Sequence, residues 1–279
     1  MSKTILITGA TGQQGGATLH NLLGKGYTLR ALTRKPEGEK ARNLASAGVE
    51  IVKGDLDDAA SVKAALQGAW GVYAVQNTWE AGVEGEEEQG KRLAQLAREA
   101  GVQHYVYASV GSAHRQTGIP HFENKWRIEQ TVRSLGFPST VILRPVFFME
   151  NLLTPWNLNG DKLVSTLNPG TRLQMIAVED IGVFGAMAFT HADTLNGREL
   201  DLAGDAVTMP EAASTLSRAL GTPLTYLQIP VSEVRKNSED FALMLEWFES
   251  TGYNADTAAL QQEFGVTFTS LEAWARKRA

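Results

Sequence analysis

Gly9-Ala10-Thr11-Gly12-Gln13-Gln14-Gly15 is the stretch that decides the fold, and it follows the short apolar run Lys3–Thr8. The run predicts a buried strand, and the apolar positions that recur at helical spacing from Ala17 to Leu23 predict a helix. A glycine-rich turn between a strand and a helix is typical of a loop that binds a diphosphate. The first glycine allows the tight turn, the second lets the backbone approach the phosphates, and the third lets the helix pack on the strand. The helix N-terminus adds free N–H donors.

The first half of the chain repeats this unit of one strand and one helix. Units that alternate in this way predict parallel strands joined by right-handed crossovers. We therefore predict an α/β fold with a Rossmann-type, doubly wound parallel sheet. A first helix that ends at Gly24 is followed by predicted helices at Glu39–Ala47, Ala59–Gln67, Gln89–Ala100 and Phe122–Leu135, and the predicted strands are Lys3–Thr8, Tyr27–Thr33, Val49–Lys53, Gly71–Val75, Val102–Ser109 and Ser139–Leu143.

The alternation stops near Pro145, and the pattern beyond it is less regular. We predict that residues 1–150 form a dinucleotide-binding domain. Residues 151–279 are predicted to form a smaller α+β lobe for a substrate or partner, with segments that can return to the first domain. The lobe has predicted helices at Val178–Thr190, Met209–Leu220, Asp240–Ser250, Ala255–Phe264 and Leu271–Lys277 and predicted strands at Arg198–Leu202 and Pro223–Ile229.

The composition excludes several classes of protein. Of the 279 residues, 43% are hydrophobic and 20% are charged, which is typical of a globular protein. The net charge of -5 argues against general binding to nucleic acid or to an anionic membrane. Cysteine is absent, which excludes disulfides and thiolate catalysis, and the five histidines lack metal-ligand spacing, so we predict no metal site. No signal peptide or membrane span is visible, so we expect a cytoplasmic protein.

The end of the second predicted strand indicates which nicotinamide dinucleotide would bind. An acidic residue at this point binds the ribose 2′-hydroxyl of NAD, whereas an arginine accommodates the 2′-phosphate of NADP. The sequence here reads Leu32-Thr33-Arg34-Lys35-Pro36, with two cations and no acid. Arg34 can offer a planar fork to a phosphate, with Lys35 beside it. The alternative is a solvated surface pair, and we favour NADP(H).

The third predicted strand ends in Gly54-Asp55-Leu56-Asp57-Asp58. A carboxylate at this edge can accept a hydrogen bond from the adenine amino group while an apolar side chain covers the ring. Asp55 and Leu56 are therefore candidates for adenine contacts. We assign Asp57 and Asp58 to capping of the next helix.

The segment Gly85-Glu86-Glu87-Glu88-Gln89-Gly90-Lys91 imitates a phosphate-binding loop. Arg92 stands where a serine or threonine would hold magnesium, and three glutamates would repel phosphates. We interpret the glutamates as acids that favour a helix N-terminus.

Together these residues resemble the NmrA-like family of atypical short-chain dehydrogenases/reductases, and within it the NADPH-sensing branch. The resemblance extends over most of the chain. Beyond the glycine turn it is carried by Asn77-Thr78-Trp79-Glu80, His121-Phe122-Glu123-Asn124-Lys125, the segment from Arg144 to Leu152, and Val178-Glu179-Asp180-Ile181-Gly182.

The resemblance implies a set of residues that line NADP(H). From the glycine turn it includes Gly9, Thr11, Gly12, Gln13, Gln14 and Gly15. From the rest of the chain it includes Arg34, Lys35, Asp55, Leu56, Gln76, Asn77, Thr78, Lys125, Phe148, Met149, Glu150 and Asn151.

One position departs from the wider superfamily, whose active members use a Tyr-x-x-x-Lys pair. Here His121 stands in the tyrosine position and Lys125 is kept, so that both lie on one face of a predicted helix. Lys125 is expected to hold the ribose. His121 is either a pocket residue without a catalytic role or a substitute acid, and a charged imidazole is disfavoured beside a lysine. Ser109 stands where a polar group often orients the substrate, and Tyr107 and His114 are weaker candidates.

Two functions fit these observations. The first is an NADP(H)-responsive sensor that acts through a protein partner and has little or no dehydrogenase activity, because the tyrosine is missing. The alternative is an NADPH-dependent reductase of a small carbonyl, quinone, imine or dye, since hydride chemistry belongs to the cofactor. An apolar or aromatic substrate would suit a cleft lined by Phe147, Phe148, Met149, Leu152 and Trp156, although the same cluster could be ordinary packing.

Overall fold

Strands and helices alternate through the first 145 residues of the computed structural model, which describes residues 2–278. The strands of this part are β1 (Thr4–Ile7), β2 (Thr28–Thr33), β3 (Glu50–Lys53), β4 (Ala69–Ala74), β5 (His104–Ala108) and β6 (Ser139–Pro145). The helices are α1 (Gln13–Leu22), α2 (Glu39–Ser46), α3 (Ala59–Leu66), α4 (Thr78–Glu99) and α5 (Pro120–Ser134), with a 3-10 turn at Ala113–Arg115.

The remainder of the chain contains shorter elements. Its strands are β7 (Phe147–Phe148), β8 (Leu158–Asn159), β9 (Lys162–Ser165), β10 (Arg172–Ile176), β11 (Arg198–Leu202), β12 (Asp205–Thr208) and β13 (Thr225–Gln228). Its helices are α6 (Val178–Thr190), α7 (Ala192–Leu195), α8 (Met209–Leu220), α9 (Val231–Arg235), α10 (Glu239–Ser250), α11 (Thr257–Phe264) and α12 (Leu271–Arg276), with a 3-10 helix at Met149–Leu153.

Seven strands in the described part of the chain form the central sheet, in the order β11-β6-β5-β4-β1-β2-β3. The pairs from β6 through to β3 are parallel. Strand order reverses between β1 and β4, which is the topological switch point where ligands of doubly wound sheets bind. The predicted Rossmann-type fold is confirmed. The sequence predicted β11 as a strand but did not place it in this sheet.

The chain divides into two compact units that do not follow a single boundary at residue 150. Unit 1 comprises Met1–Ser109, Glu123–Arg144 and Ile181–Leu200, and unit 2 comprises Val110–Phe122, Pro145–Asp180 and Asp201–Ala279.

The core of unit 1 forms where the buried faces of the central strands meet the helices. Ile5, Leu6 and Ile7 are fully buried, as expected for a central parallel strand covered on both faces. The returning helix α6 packs closely on α1 through glycine. A Cβ atom on Gly182 would lie 2.6 Å from the carbonyl carbon of Ala17, so a larger side chain would force the two helices apart.

Unit 2 has two small sheets, in the orders β12-β10-β7 and β13-β9-β8. Helices α8, α10 and α12 contribute to an apolar core that contains Met209, Trp247 and Trp274. Aromatic rings dominate one side of this core: Phe248 lies 5.0 Å from Tyr253 between ring centroids. The predicted α+β lobe is confirmed. Its strands are short, which explains the less regular sequence pattern after Pro145.

Helix α4 begins eleven residues before its predicted start at Gln89. Asn77 caps it by accepting a hydrogen bond from the Trp79 N–H at 3.1 Å. Gly82 then has a φ of 76° and a ψ of 171°, which interrupts the helix. The residues before this break do not continue the helical spacing of apolar positions, so the first turn was not predicted. At 22 residues α4 carries many acids, and within residues 2–278 we find no helix with both the length and the apolar content needed to cross a membrane.

Candidate functional site

The glycine turn lies in unit 1 at the carboxyl end of β1. Gly9 has a φ of 62°, a left-handed conformation that favours glycine, and its carbonyl accepts a hydrogen bond from Gly12 N–H at 2.9 Å. Gly15 packs against the same backbone: a Cβ atom there would lie 2.5 Å from the Gly9 carbonyl oxygen and 2.6 Å from that of Thr8. Two of the three glycines are therefore required by the shape of the turn.

The N-terminus of α1 is open. Its N-cap is Gly12, no side chain of residues 2–278 caps it, and its first turn contains no acid. Gly12 and Gln13 are exposed. The first N–H groups of a helix have no partner within the helix, so those of Gln13, Gln14 and Gly15 are available to an anion, and the helix dipole favours one there.

A buried amide lies beside this turn. The hydroxyl of Thr8 donates to the Val75 carbonyl and accepts from the Val75 N–H, both at 2.8 Å, which ties the ends of β1 and β4 together at the switch point. Gln76 follows directly. Its side chain is 6% exposed, yet neither its oxygen nor its nitrogen has a hydrogen-bond partner among the described residues. Gln14 Oε1 is also buried without a partner there.

Buried polar atoms are nearly always hydrogen-bonded, and an exception calls for a physical explanation such as a missing ligand. An open helix N-terminus, a turn of glycines and the unsatisfied amide of Gln76 together fit a dinucleotide whose diphosphate rests on the turn. The residues present therefore fit the cofactor that the sequence predicts.

The two cations after β2 are exposed. Arg34 and Glu80 form an ion pair in which their side chains are 60% and 55% exposed. The backbone N–H of Lys35 donates to the Thr33 hydroxyl at 3.1 Å, and its side chain lies in solvent. Glu80 was not among the residues predicted for the site. It is paired with Arg34, the residue predicted to bind the 2′-phosphate.

The aspartates after β3 have three different tasks. Asp55 accepts a hydrogen bond from the Asp57 N–H at 3.1 Å, which shapes the turn. Asp58 caps α3 by accepting from the Ala60 N–H at 3.0 Å, as predicted. The assignment of Asp57 to capping was wrong: both of its carboxylate oxygens accept from the Gln89 side chain at 3.0 Å. Leu56 is partly buried against the core of unit 1.

A fully buried carboxylate holds the predicted ribose ligand. Glu86 is 0% exposed, and it accepts hydrogen bonds from the Lys125 ammonium at 2.6 Å, from the Asn124 amide at 3.0 Å and from the Thr78 hydroxyl. Burial acts to raise the pKa of Glu86, but the charge of Lys125 and the three hydrogen bonds outweigh it and lower that pKa. Glu86 is therefore an ionised carboxylate, and its negative charge balances the charge of the Lys125 ammonium.

Close packing of α4 on α5 builds this network. A Cβ atom on Gly90 would lie 2.5 Å from Ile128 Cδ1, so the Ile128 side chain of α5 packs directly on the α4 backbone at Gly90. Glu86 lies one turn before Gly90, and Asn124 lies one turn before Ile128, which brings the polar groups face to face. Glu86 was not among the residues predicted for the site. The signal was present, because residues 86, 90, 93 and 97 lie on one buried stripe of α4.

Ser109 is hydrogen-bonded to a second buried acid, Glu129. Its hydroxyl donates to Glu129 at 2.5 Å, and Glu129 also accepts from Arg144 at 2.9 and 2.6 Å. The Tyr107 hydroxyl is buried without a hydrogen-bond partner in the described chain. Burial, with the charge of Glu86 next in size, raises the pKa of Tyr107 well above its usual value. Its phenol is therefore protonated.

In unit 2, His121 is paired with an acid that the sequence did not indicate. Its Nδ1 contacts the Asp240 carboxylate, and its backbone N–H donates to the other oxygen of that carboxylate at 2.9 Å. Burial acts to raise the pKa of Asp240, but the hydrogen bond and charge of His121 lower it. Asp240 stands at the start of α10, far from His121 in sequence, so no local pattern reveals the pair. His114 lies exposed in the 3-10 turn.

In the segment Phe148–Asn151, also in unit 2, Met149 and Glu150 make contacts within that unit. Met149 is fully buried in the core. Glu150 accepts a hydrogen bond from Trp274 Nε1 at 2.8 Å, one from Arg278 at 3.1 Å and one from the Val178 N–H at 3.2 Å. The assignment of this segment to the cofactor stays a prediction. Trp156 is 76% exposed.

Comparison with known proteins agrees with this geometry. The chain is 36% identical over 164 residues to the NmrA-like family domain-containing oxidoreductase FrzB of Cladobotryum sp, a match that covers 55% of this chain and about half, 49%, of FrzB. It is 32% identical over 235 residues to the (4-alkanoyl-5-oxo-2,5-dihydrofuran-3-yl)methyl phosphate reductase of Streptomyces griseus subsp. griseus, covering 83% of this chain and 79% of that protein.

The fold is shared with a solved structure of NmrA, a negative transcriptional regulator, in complex with NADP. The TM-score is 0.80 at 22% identity, and the match covers 99% of this chain and 95% of that chain. Other structures with this fold contain NAD or NADPH. The sequence profile of the NmrA-like family matches residues 1–275, which confirms the resemblance seen in the motifs: this chain belongs to the NmrA-like family.

Proposed function

We propose that this protein binds NADP(H) on the glycine turn of unit 1 and uses it to reduce a small carbonyl, quinone, imine or dye. The nucleotide half of the proposal is supported by the open N-terminus of α1 and by the unsatisfied amide of Gln76 at the switch point. The preference for NADP(H) is supported by Arg34, which follows β2 where an NAD-binding protein would carry an acid.

The observation that carries the reductase is the pairing of His121 with Asp240. A carboxylate against Nδ1 fixes the orientation of an imidazole and stabilises a proton on the ring, as in other catalytic dyads and triads. The sequence favoured a sensor because the tyrosine is missing, and a charged imidazole beside Lys125 was expected to be an unfavourable substitute acid. That objection loses its force, since Glu86 neutralises the Lys125 ammonium.

In this proposal each residue has a stated task. Lys125 Nζ donates hydrogen bonds to the ribose hydroxyls, and Glu86 holds it in place. Bound NADPH supplies the hydride. His121, as an imidazolium whose Nδ1–H is held by Asp240, gives its Nε2 proton to the substrate oxygen or nitrogen, and the neutral ring that remains takes up a proton from water. The relative named as a reductase in Streptomyces griseus supports this choice of reaction class.

The second candidate is an NADP(H)-responsive regulator that acts through a protein partner. It is favoured by one observation: position 121 carries a histidine where active members of the superfamily carry a tyrosine. A sensor needs different affinity for the cofactor in two states of the protein.

Steady-state oxidation of NADPH with a panel of quinones, aldehydes, imines and dyes tests the proposal. We expect turnover of at least one substrate class, with a loss of about 10²-fold in kcat for His121→Gln, the range for removal of a general acid. His191→Gln, an exposed histidine of unit 1, is the matched control and should retain full activity. Inertness towards the whole panel, with NADPH still bound, would favour the regulator.

A further inference from the structure

The ion pair between Arg34 and Glu80 lies where the proposed function puts the 2′-phosphate of NADP(H). Both partners are more than half exposed, and Glu80 belongs to the first turn of α4, directly after the Asn77 cap. The Glu80 carboxylate is therefore bound to the Arg34 guanidinium that is expected to bind the 2′-phosphate.

We propose that Glu80 is a specificity-determining residue, which competes with the 2′-phosphate for Arg34 and so reduces the preference for NADP(H) over NAD(H). This inference rests on the proposed function. A guanidinium presents its donors in a planar fork that suits a carboxylate and a phosphate equally, so the two ligands exclude each other on the same edge. The carboxylate also repels the phosphate dianion, and neither effect touches NAD(H), which lacks that phosphate.

The structure lets Glu80 yield to a stronger ligand. The pair is exposed, so water replaces either partner at little cost. Gly82, two residues later, has a φ of 76° and separates the turn that carries Glu80 from the rest of α4. The Glu86 carboxylate lies beyond this break. Thr78, in the same turn as Glu80, donates to it, but the hydrogen bonds to Glu86 do not involve the Glu80 side chain.

The test is a calorimetric titration of NADP⁺ and NAD⁺, at low salt, into the wild type, Glu80→Gln and Glu84→Gln. Glu84 is exposed on the same helix and controls for the loss of one negative charge. An exposed ion pair contributes about 0.2–1 kcal/mol, so Glu80→Gln should bind NADP⁺ about 1.4- to fivefold more tightly. Its affinity for NAD⁺, and both affinities of Glu84→Gln, should remain those of the wild type.

Arg34→Ala provides the second arm. In that background Glu80→Gln should raise the affinity for NADP⁺ by less than it does in the wild type, because the competition for Arg34 is gone and only the repulsion of the phosphate is relieved. An equal gain for both dinucleotides, no gain, or weaker NADP⁺ binding in Glu80→Gln would overturn the inference, the last by showing that Glu80 orients Arg34 instead. Failure of the proposed function looks different: the wild type itself would then bind neither dinucleotide, and the inference would fall with it.

Discussion

The ammonium of Lys125 lies 2.6 Å from the carboxylate of Glu86, and that carboxylate is completely buried. The pair joins the residue that the family resemblance assigns to the ribose with an acid that the sequence predicted at a helix N-terminus. That prediction was wrong, because Glu86 lies inside α4, eight residues after its start. A lysine with a dedicated buried partner is held in one position, which suits a group that donates hydrogen bonds to a ligand.

Glu86→Gln should destabilise the protein strongly. Removing one partner of a buried, hydrogen-bonded ion pair leaves an uncompensated charge and costs about 3–5 kcal/mol. The free energy of unfolding from urea titration measures this. Glu88→Gln, with an exposed carboxylate 3.9 Å from Arg92, is the matched control and should change stability by less than about 0.5 kcal/mol. Equal stability of the two variants would show that the network around Glu86 contributes nothing.

His104 should make the protein less stable in acid. Burial, opposed by a hydrogen bond from Nε2 to the Ala188 carbonyl at 2.9 Å, lowers its pKa to about 4. The unfolded chain therefore takes up this proton first, and stability is complete above about pH 6.5 and falls as the pH drops towards 4. The full loss is about 3 kcal/mol from this group.

Thermal unfolding between pH 7 and pH 4.5 checks the prediction. In His104→Gln the decline over this interval should become shallower, because the variant has no imidazole to protonate. His20→Gln, which alters an exposed histidine, should follow the wild type. A decline of the same slope in all three proteins would contradict the assignment to His104.

Gly15→Ala should damage both stability and nucleotide binding. The added Cβ would lie 2.5 Å from the Gly9 carbonyl oxygen, a backbone atom that cannot move without opening the turn. Overpacking of this kind costs about 1–3 kcal/mol. Gly170→Ala, where the new atom meets nothing within 4 Å, is the control. Urea unfolding and NADP⁺ titration of both variants measure the effect, and wild-type values for Gly15→Ala would refute the described shape of the turn.

Arg34→Ala should weaken NADP(H) binding much more than NAD(H) binding. Loss of a charge-assisted, forked contact to phosphate is worth about 1.5–3 kcal/mol, or roughly 10- to 100-fold in the dissociation constant. Lys40→Ala removes an exposed cation of the same charge from α2 and should have little effect on either cofactor. An equal loss for both dinucleotides would mean that Arg34 is only a surface cation.

The sequence predicted the central sheet because its signals are local. Short apolar runs that end in glycine turns predicted the parallel strands of a doubly wound fold, and the spacing from Gly9 to Gly15 predicted the candidate site at the end of β1. The sequence predicted α6 and β11 with the observed bounds and allowed segments of the lobe to return to the first domain. It did not indicate which segments return, because membership of a sheet depends on contacts that are distant in sequence.

The site was predicted only in part for the same reason. Sequence motifs predicted Arg34 and Lys125, but they did not predict the acids paired with them, Glu80 and Glu86. Glu86 could have been found from its place on the buried stripe of α4. Asp240, 119 residues after His121, could not, because nothing near it in sequence marks a partner for a distant imidazole.

Calorimetric titration of the wild-type protein with NADPH and NADH tests the central claim most directly. We expect saturable binding of one NADPH per chain, with NADH bound more weakly because it has no 2′-phosphate for Arg34. Absence of saturation with either dinucleotide would contradict it.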